Sequence, residues 1–447
     1  MSAIAGIQYS GSKEKVNEML NRMTHRGNAW RYVIENNGTI IGAEGPKSQR
    51  KSAEKMQKDH IAQEMVSSSH FARAKVTKEG LELSRDPLGV SPLYYGKTPE
   101  GALCFASEVK GLLAVTRDIH ELPPGHSLSG TKIKRVFIQS KGKFNQDTAE
   151  NTALELRHRI ESSIRNRIGD GNVGCWLSGG IDSTALAAIA RPCVKELHTF
   201  AAGFSDSPDI HFAQVAAQHI GSKHHSRVVT PEEVIGTIPE VIYHLESFDA
   251  LLIRSTVMNY LVAKLASDYV PAVFSGEGGD ELFAGYDYLG SIPRSELQVE
   301  LNDITGRLHN TALQRVDRSS AAHGLIAYVG YLDQGIVELA NQIPAEYKIK
   351  DGIEKWILRK AVEDLLPEDL LLRKKAKFWQ GAGVQDFIAD HANEMITDRN
   401  FASERNLKSG EKLNTKEELY YYRIFRDHFG EFEDLSWMGR TKGAPVS

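Results

Sequence analysis

The sequence predicts two joined folds, a β-rich α+β layered domain over residues 1–140 and an α/β domain built on a parallel sheet over residues 150–447. Length is the first ground, because 447 residues exceed what one ordinary hydrophobic core holds together. The second is a change of texture at the polar segment Gln139–Asn151, from short strands broken by Gly and Pro to strands alternating with helices. The third is that strands of the later part run into glycine-rich loops, where open parallel sheets collect their ligands.

In the first domain, AIAGIQ (3–8) has the makings of a strand, and SKEKVNEMLNRM puts Val16, Leu20 and Met23 at helical spacing. GTIIGAEG, LELSRDPLGVSPLYYG and ALCFASE are strand-like pieces, rich in β-branched and aromatic residues and separated by turn formers. Beyond the linker, Leu156, Ile160, Ile164 and Ile168 recur every four residues and give a helix its apolar stripe. VGCWL, LHTFAAGF and VPAVFS then alternate with helical segments, the pattern of parallel strands with crossover helices. The last third is helical: IEKWILRKAVEDLL is expected to run as one helix until Pro367, and TKEELYYYRIFRDHF has the cap and spacing of a packed helix.

Composition narrows the function classes. Forty-one per cent hydrophobic and 25% charged residues are average for a globular protein, and a net charge of -4 offers no basic field for a nucleic-acid backbone. Cys104, Cys175 and Cys193 share no metal-ligand spacing, and an odd count suits a reducing compartment. No apolar run approaches the roughly 20 residues of a membrane helix, and the start has no charged-then-apolar signal pattern. The expectation is a cytoplasmic protein with neither nucleic-acid nor membrane partners.

The chemistry lies in two loops. In WLSGGIDS (176–183) the pair Gly179–Gly180 separates a strand from a helix. Glycines there let backbone N–H groups converge on one point, and the helix adds its positive end, so an anion, most simply a phosphate, is the expected guest. Ser178 and Ser183 add hydroxyl donors. Asp182 repels phosphate unless a divalent cation stands between them, which suggests pyrophosphate with magnesium. A tight turn with Asp182 as helix cap would account for this loop alone. The stretch VFSGEGGDELFAGY (273–286) repeats the design, with Gly276, Gly278 and Gly279 beside Glu277, Asp280 and Glu281. A solvated helix N-terminus would account for that loop alone. Two such loops in one sheet are what a metal–nucleotide site requires. Without any GxxxxGKS or GxxxxGKT run, cleavage between the α- and β-phosphates is favoured over transfer of the γ-phosphoryl group.

The ordered series LSGGIDS (177–183), TFAAGF (199–204), SPDIHFAQVAAQHIGSKHH (207–225), VIYHLESFD (241–249), SGEGGDELFAGY (275–286), LRKAVEDLLPEDLLLRKKAKF and TKEELYYYRIF resembles the synthetase domain of asparagine synthetases, a branch of the ATP-pyrophosphatase group with an adenine nucleotide alpha hydrolase-like fold. The resemblance implies that ATP adenylates a substrate carboxylate and releases pyrophosphate, after which ammonia or another amine displaces AMP to form an amide. It also implies that adenine rests against Leu177, Ala202, Ser275 and Gly276, that Ser178, Gly180 and Ser183, with Gly179 in the same loop, hold pyrophosphate, and that Asp182 and Asp280 are magnesium ligands. Glu277 and Lys375 are the implied catalytic pair. A lysine beside the α-phosphate stabilises developing negative charge, and a carboxylate orients it or takes a proton from the amine. Taken alone, the basic run of Arg373, Lys374, Lys375 and Lys377 has the look of a solvated face.

The first domain resembles the class II glutamine amidotransferase, an Ntn-hydrolase-like sandwich, at HRG (25–27), LSRDPLGVSPLYYG (83–96) and FASEVKGLL (105–113). Family members place a nucleophilic cysteine after Met1; this chain has Ser2 there, with Ala3 for the following glycine. Asn28 and Ala29 stand where the family has Pro-Asp, and the NGEIYN segment that helps hold glutamine is not found. The expected domain is degenerate, without glutaminase activity of its own. The nitrogen would then come as free ammonia, from a separate glutaminase, or from another amine, including one on the substrate.

The identity of the acid turns on ESFDALLIRSTV (246–257), where the family has threonines in TTIRAS. Arg254 is kept and suits a carboxylate or phosphate. Leu251 and Leu252 replace both hydroxyls. If they line the pocket, a small polar acid is disfavoured by about 1 kcal/mol or more per group; if they face the core, they say nothing of the acid. The expected substrate is aspartate or a related amino acid. β-Lactam and carbapenam synthetases also lack the cysteine and close a ring on the substrate's own amine, but carry tyrosine in place of Glu277; intramolecular amide formation is the alternative. A non-catalytic nucleotide-binding homologue is a third reading, and a homodimer is compatible with each.

Overall fold

The computed structural model describes residues 1–8, 12–78, 80–137, 147–169, 171–205, 207–373 and 385–441. The first part folds as two antiparallel sheets laid face to face. One has six strands in the order Trp30–Asn36, Thr39–Gly45, Ala3–Gln8, Leu103–Ala106, Tyr94–Lys97, His120–Glu121. The other has five, in the order Lys132–Arg135, His126–Ser129, Gly80–Arg85, His70–Thr77, Ile61–Ser67. Alternating side chains of both, among them Ile4, Ile41, Ala72, Leu83 and Phe105, meet in one buried layer. The Lys13–Asn21 helix, capped by Ser12, covers the outer face of the first sheet with Val16, Met19 and Leu20 buried.

The second part is an α/β domain on five parallel strands, in the order Lys223–Val228, His198–Gly203, Gly174–Trp176, Ala272–Ser275, Ile326–Val329. Chain order therefore runs outward from the centre in one direction and then in the other. The reversal falls between Gly174–Trp176 and Ala272–Ser275, the two strands that carry the glycine loops. This is the topological switch point at which doubly wound sheets open a crevice. The Ala149–Arg165 helix, capped by Thr148, buries Leu156, Ile160 and Ile164 as its stripe requires.

The two parts meet through buried charge. Arg26, fully buried, donates to Glu108 at 2.7 Å within its own domain and to both carboxylate oxygens of Asp317 at 2.8 Å across the junction. Asp317 lies on the Ala312–Ala321 helix of the second part. Such a network is worth little net against an apolar substitute, but removing one member strands a buried charge. Among the described residues, no helix is long and apolar enough to cross a membrane, and all three cysteines are unpaired.

One expected helix differs. IEKWILRKAVEDLL does not start at Ile353: Lys355 takes a left-handed conformation (φ 55°, ψ 29°), and the helix spans only Trp356–Ala361. A lysine pays a conformational penalty there that a helix would not impose. The cause lies in what its side chain reaches.

Candidate active site

The two loops leave adjacent parallel strands at the switch point and approach each other. Gly179 is held at φ +71°, and a Cβ on it would come within 2.5 Å of Phe212, so only glycine suits the turn. A Cβ on Gly279 would collide with Oδ1 of Asp182, which the first loop extends toward the second. The Ile181–Ala190 helix starts at Gly180 and directs its N-terminal amides into the same space. Beside it, the hydroxyls of Ser178 and Ser183 lie 3.2 Å apart.

Asp182 and Asp280 converge on one cation. Lys355 Nζ is 2.5 Å from Asp182 and 2.6 Å from Asp280, with only 3% of the lysine side chain exposed. Burial works against the charged amine, but the two carboxylates outweigh it and hold the ammonium above its ordinary pKa. The strained backbone at Lys355 is thus tied to the junction of the two loops.

Around these groups opens a cavity of about 680 Å³. Leu177, Ser178, Gly180, Asp182, Ser183, Ala202, Ser275, Gly276, Glu277 and Asp280 all line it; Gly179 forms the turn behind. Leu251 and Leu252 also stand in the wall, which answers which way these leucines face. Arg254 is not part of that wall: its guanidinium makes a two-pronged ion pair with Glu417, whose carboxylate also accepts from the Tyr421 hydroxyl at 2.8 Å. On the helix the wall residues Leu251, Leu252 and Ser255 centre on one face, and Arg254 lies beyond the edge of that face, turned toward Glu417. Glu277 pairs with Arg315 of the Ala312–Ala321 helix. Its expected partner Lys375 lies outside the described residues.

Of the cations that line this cavity, Lys355, Arg315 and Arg373 contact the two loops and escape a reading by motif. Arg373, at the start of the basic run, is not solvated. It donates to the Ser178 carbonyl at 2.7 Å and to Asp209 at 2.6 Å, with its guanidinium over the Phe212 ring. Its side chain is 8% exposed. Arg373 therefore fixes the first glycine loop from outside, while Lys355 joins it to the second. Converging amides, hydroxyls and cations at a helix N-terminus form a chemically apt receptor for a polyphosphate.

In the first part, Ser2 is 2% exposed and its hydroxyl donates to Gln49, while its carbonyl accepts from Arg26 at 2.8 Å. The residue sits in the seam between the strand Ala3–Gln8 and the buried ion network.

Comparison with known proteins gives a consistent family. The asparagine synthase family model matches residues 155–302 and 293–442, and the glutamine amidotransferase domain model matches residues 69–123. Asparagine synthetase [glutamine-hydrolyzing] 2 of Lotus japonicus is 34% identical over 372 residues, covering 78% of this chain and 64% of the relative. The asparagine synthetase of Gallus gallus is 33% identical over 401 residues, covering 78% of this chain and 70% of the relative. The chain thus spans a little under two thirds of the plant relatives it matches, 64% of their length. With the glycine loops, the switch-point cavity and both domain matches in agreement, the chain belongs to the asparagine synthase family.

Proposed function

We propose that this protein is an ATP-dependent ligase that joins a carboxylic acid to an amine through an acyl-adenylate. The observation that carries it is the convergence of two glycine loops on Lys355, in a cavity at the switch point of a parallel sheet. ATP would seat its base against Leu177, Ala202, Ser275 and Gly276 and its phosphates at Ser178, Gly180 and Ser183. The substrate carboxylate oxygen attacks the α-phosphorus, the bond to the β-phosphate breaks, and pyrophosphate leaves toward Lys355 and the helix N-terminus. The amine nitrogen then attacks the acyl carbon, the carbon–oxygen bond to AMP breaks, and the nitrogen loses its proton to a nearby carboxylate or to solvent.

Asp182 and Asp280 fit a magnesium site, since two carboxylates that reach one cation, with phosphate oxygens beside them, are an ordinary donor set for that ion. When bound, magnesium would neutralise charge on the leaving pyrophosphate. Glu277 and Lys375 remain the proposed catalytic pair, with Arg315 orienting the Glu277 carboxylate.

The amine is proposed to be ammonia, free or from a separate glutaminase, or another amine. Burial of Ser2 and its hydrogen bond to Gln49 support a first domain without glutaminase activity. The acid is proposed to be aspartate or a related amino acid. Leu251 and Leu252 in the cavity wall favour the related acid, and the same observation supports ring closure on the substrate's own amine as the second reading. Arg254, paired with Glu417, is proposed to support from behind the helix Ala250–Ser267 that carries Leu251 and Leu252. Three unpaired cysteines fit a cytoplasmic location.

The test is pyrophosphate release across candidate acids, with ammonia, glutamine or no added amine. Asp182→Ala should abolish release; unchanged release would remove Asp182 from the metal and phosphate site. Turnover on aspartate with ammonia alone identifies asparagine formation, and turnover of another amino acid with no added amine identifies the lactam-forming reading. Turnover with glutamine but not ammonia would refute the reading of the first domain.

A further inference from the structure

The helix Ala250–Ser267 lines the cavity along one face through Leu251, Leu252, Ser255, Asn259 and Val262. It runs from the loop end of the sheet toward the amino ends of the strands, because Tyr269, just beyond it, packs against His198 at the start of the neighbouring strand. At 1.5 Å per residue, Asn259 therefore lies about 10 Å farther in than Leu252. Trp176, Phe200 and Val262 line the same cavity.

Asn259 places a carboxamide in this apolar floor. It is 5% exposed, and its carboxamide takes no hydrogen-bond partner among the described residues. The neighbouring polar groups are satisfied locally: the Ser255 hydroxyl donates to the Leu252 carbonyl at 2.9 Å and the Thr256 hydroxyl to the same carbonyl at 2.6 Å. A carboxamide that faces the cavity with no protein partner can pair with a ligand group that offers a matching donor and acceptor.

We infer that Asn259 reads the edge of the nucleotide base. The inference rests on the nucleotide reading above and adds the residue that selects the base. With the phosphates at the glycine loops, the base projects inward along the helix. The Asn259 carboxamide offers one donor and one acceptor side by side, the complement of adenine's 6-amino group and an adjacent ring nitrogen. A base lacking the 6-amino group forfeits half of that pair.

The test is a cycle of two proteins and two nucleotides, read as binding by calorimetry. ATP and purine riboside 5′-triphosphate, which lacks the 6-amino group, are titrated into wild type and into Asn259→Leu, with Asn259→Met as a second variant of different shape. Variants whose thermal midpoints match wild type should bind ATP roughly tenfold more weakly, with less than about a threefold change for the purine riboside triphosphate. An equal loss for both nucleotides, or no loss for ATP, overturns the base-reading role while leaving the nucleotide site intact. Wild-type protein that binds neither nucleotide overturns the nucleotide reading along with it.

Discussion

Lys355 Nζ and Asp182 Oδ2 lie 2.5 Å apart, and the same nitrogen reaches Asp280 at 2.6 Å, so one buried ammonium holds two glycine loops together. Without it, two carboxylates would face each other at the mouth of a partly buried cavity. Lys355→Met should therefore lower stability by about 3 kcal/mol, the order seen when one partner of a buried ion pair is removed. It should also slow pyrophosphate release at least about 100-fold, as expected for losing a cation at a developing phosphate charge. Chemical denaturation and a steady-state pyrophosphate assay check the two halves separately; a stable, fully active Met variant would show the lysine to be incidental.

The approach of the loops makes a second prediction at a residue with no reactive group. A methyl on Gly279 would press on Oδ1 of Asp182, which Lys355 prevents from moving aside. Overpacking of this kind costs about 1–3 kcal/mol. Gly279→Ala should then raise the ATP concentration needed for half-maximal pyrophosphate release by about tenfold. Gly290→Ala, where an added Cβ meets nothing within 4 Å, should leave it unchanged.

Much of this site was legible in the sequence because its loops are local. Glycine, hydroxyl and carboxylate stand within eight residues in each loop, and a strand-to-helix turn brings them together wherever it occurs. The cations were not legible, since Lys355, Arg315 and Arg373 reach the loops from distant segments. Lys355 does so from a left-handed turn inside what periodicity presents as a helix, and Arg373 from a basic run that looks solvated. The α/β texture and its parallel strands were likewise visible in alternation. The strand Ile61–Ser67 was not, because IAQEMVS mixes polar residues into positions that the Arg26 network, through Glu64, uses for buried charge. The same helical periodicity that exposes Leu251 and Leu252 to the cavity carries Arg254 away from it, a distinction of face that residue type alone does not make.

The leucine wall bears on the acid. Restoring hydroxyls with the double change Leu251→Thr and Leu252→Thr should shift relative kcat/KM toward aspartate and away from apolar amino acids by about 30-fold, at roughly 1 kcal/mol for each of the two hydrogen bonds gained. Competition between aspartate and leucine in the pyrophosphate assay measures that ratio directly. An unchanged ratio would mean that the acid does not rest against these side chains.

The junction between the domains predicts a pH dependence of stability. His244 packs edge-on against His25, with ring centroids 4.6 Å apart, and also against Tyr243, with Tyr260 tilted beside it. Burial, reinforced by the charges of Lys110 and His25, pushes its pKa down to about 2, and burial lowers His323 to about 4. Unfolded histidine titrates near 6.5. Below that pH the unfolded chain takes up protons that the folded chain refuses. The stability of the folded state is therefore fully present above pH 6.5 and declines as the pH falls below it, each ring contributing at most about 1.4 kcal/mol per pH unit. For His323 the decline levels off near its folded value of about 4; for His244 it continues toward about 2. The urea midpoint should fall between pH 7 and pH 5, and His244→Phe, which cannot take the proton in either state, should make that fall shallower. A variant whose midpoint declines as steeply as wild type would show that His244 is protonated in the folded protein.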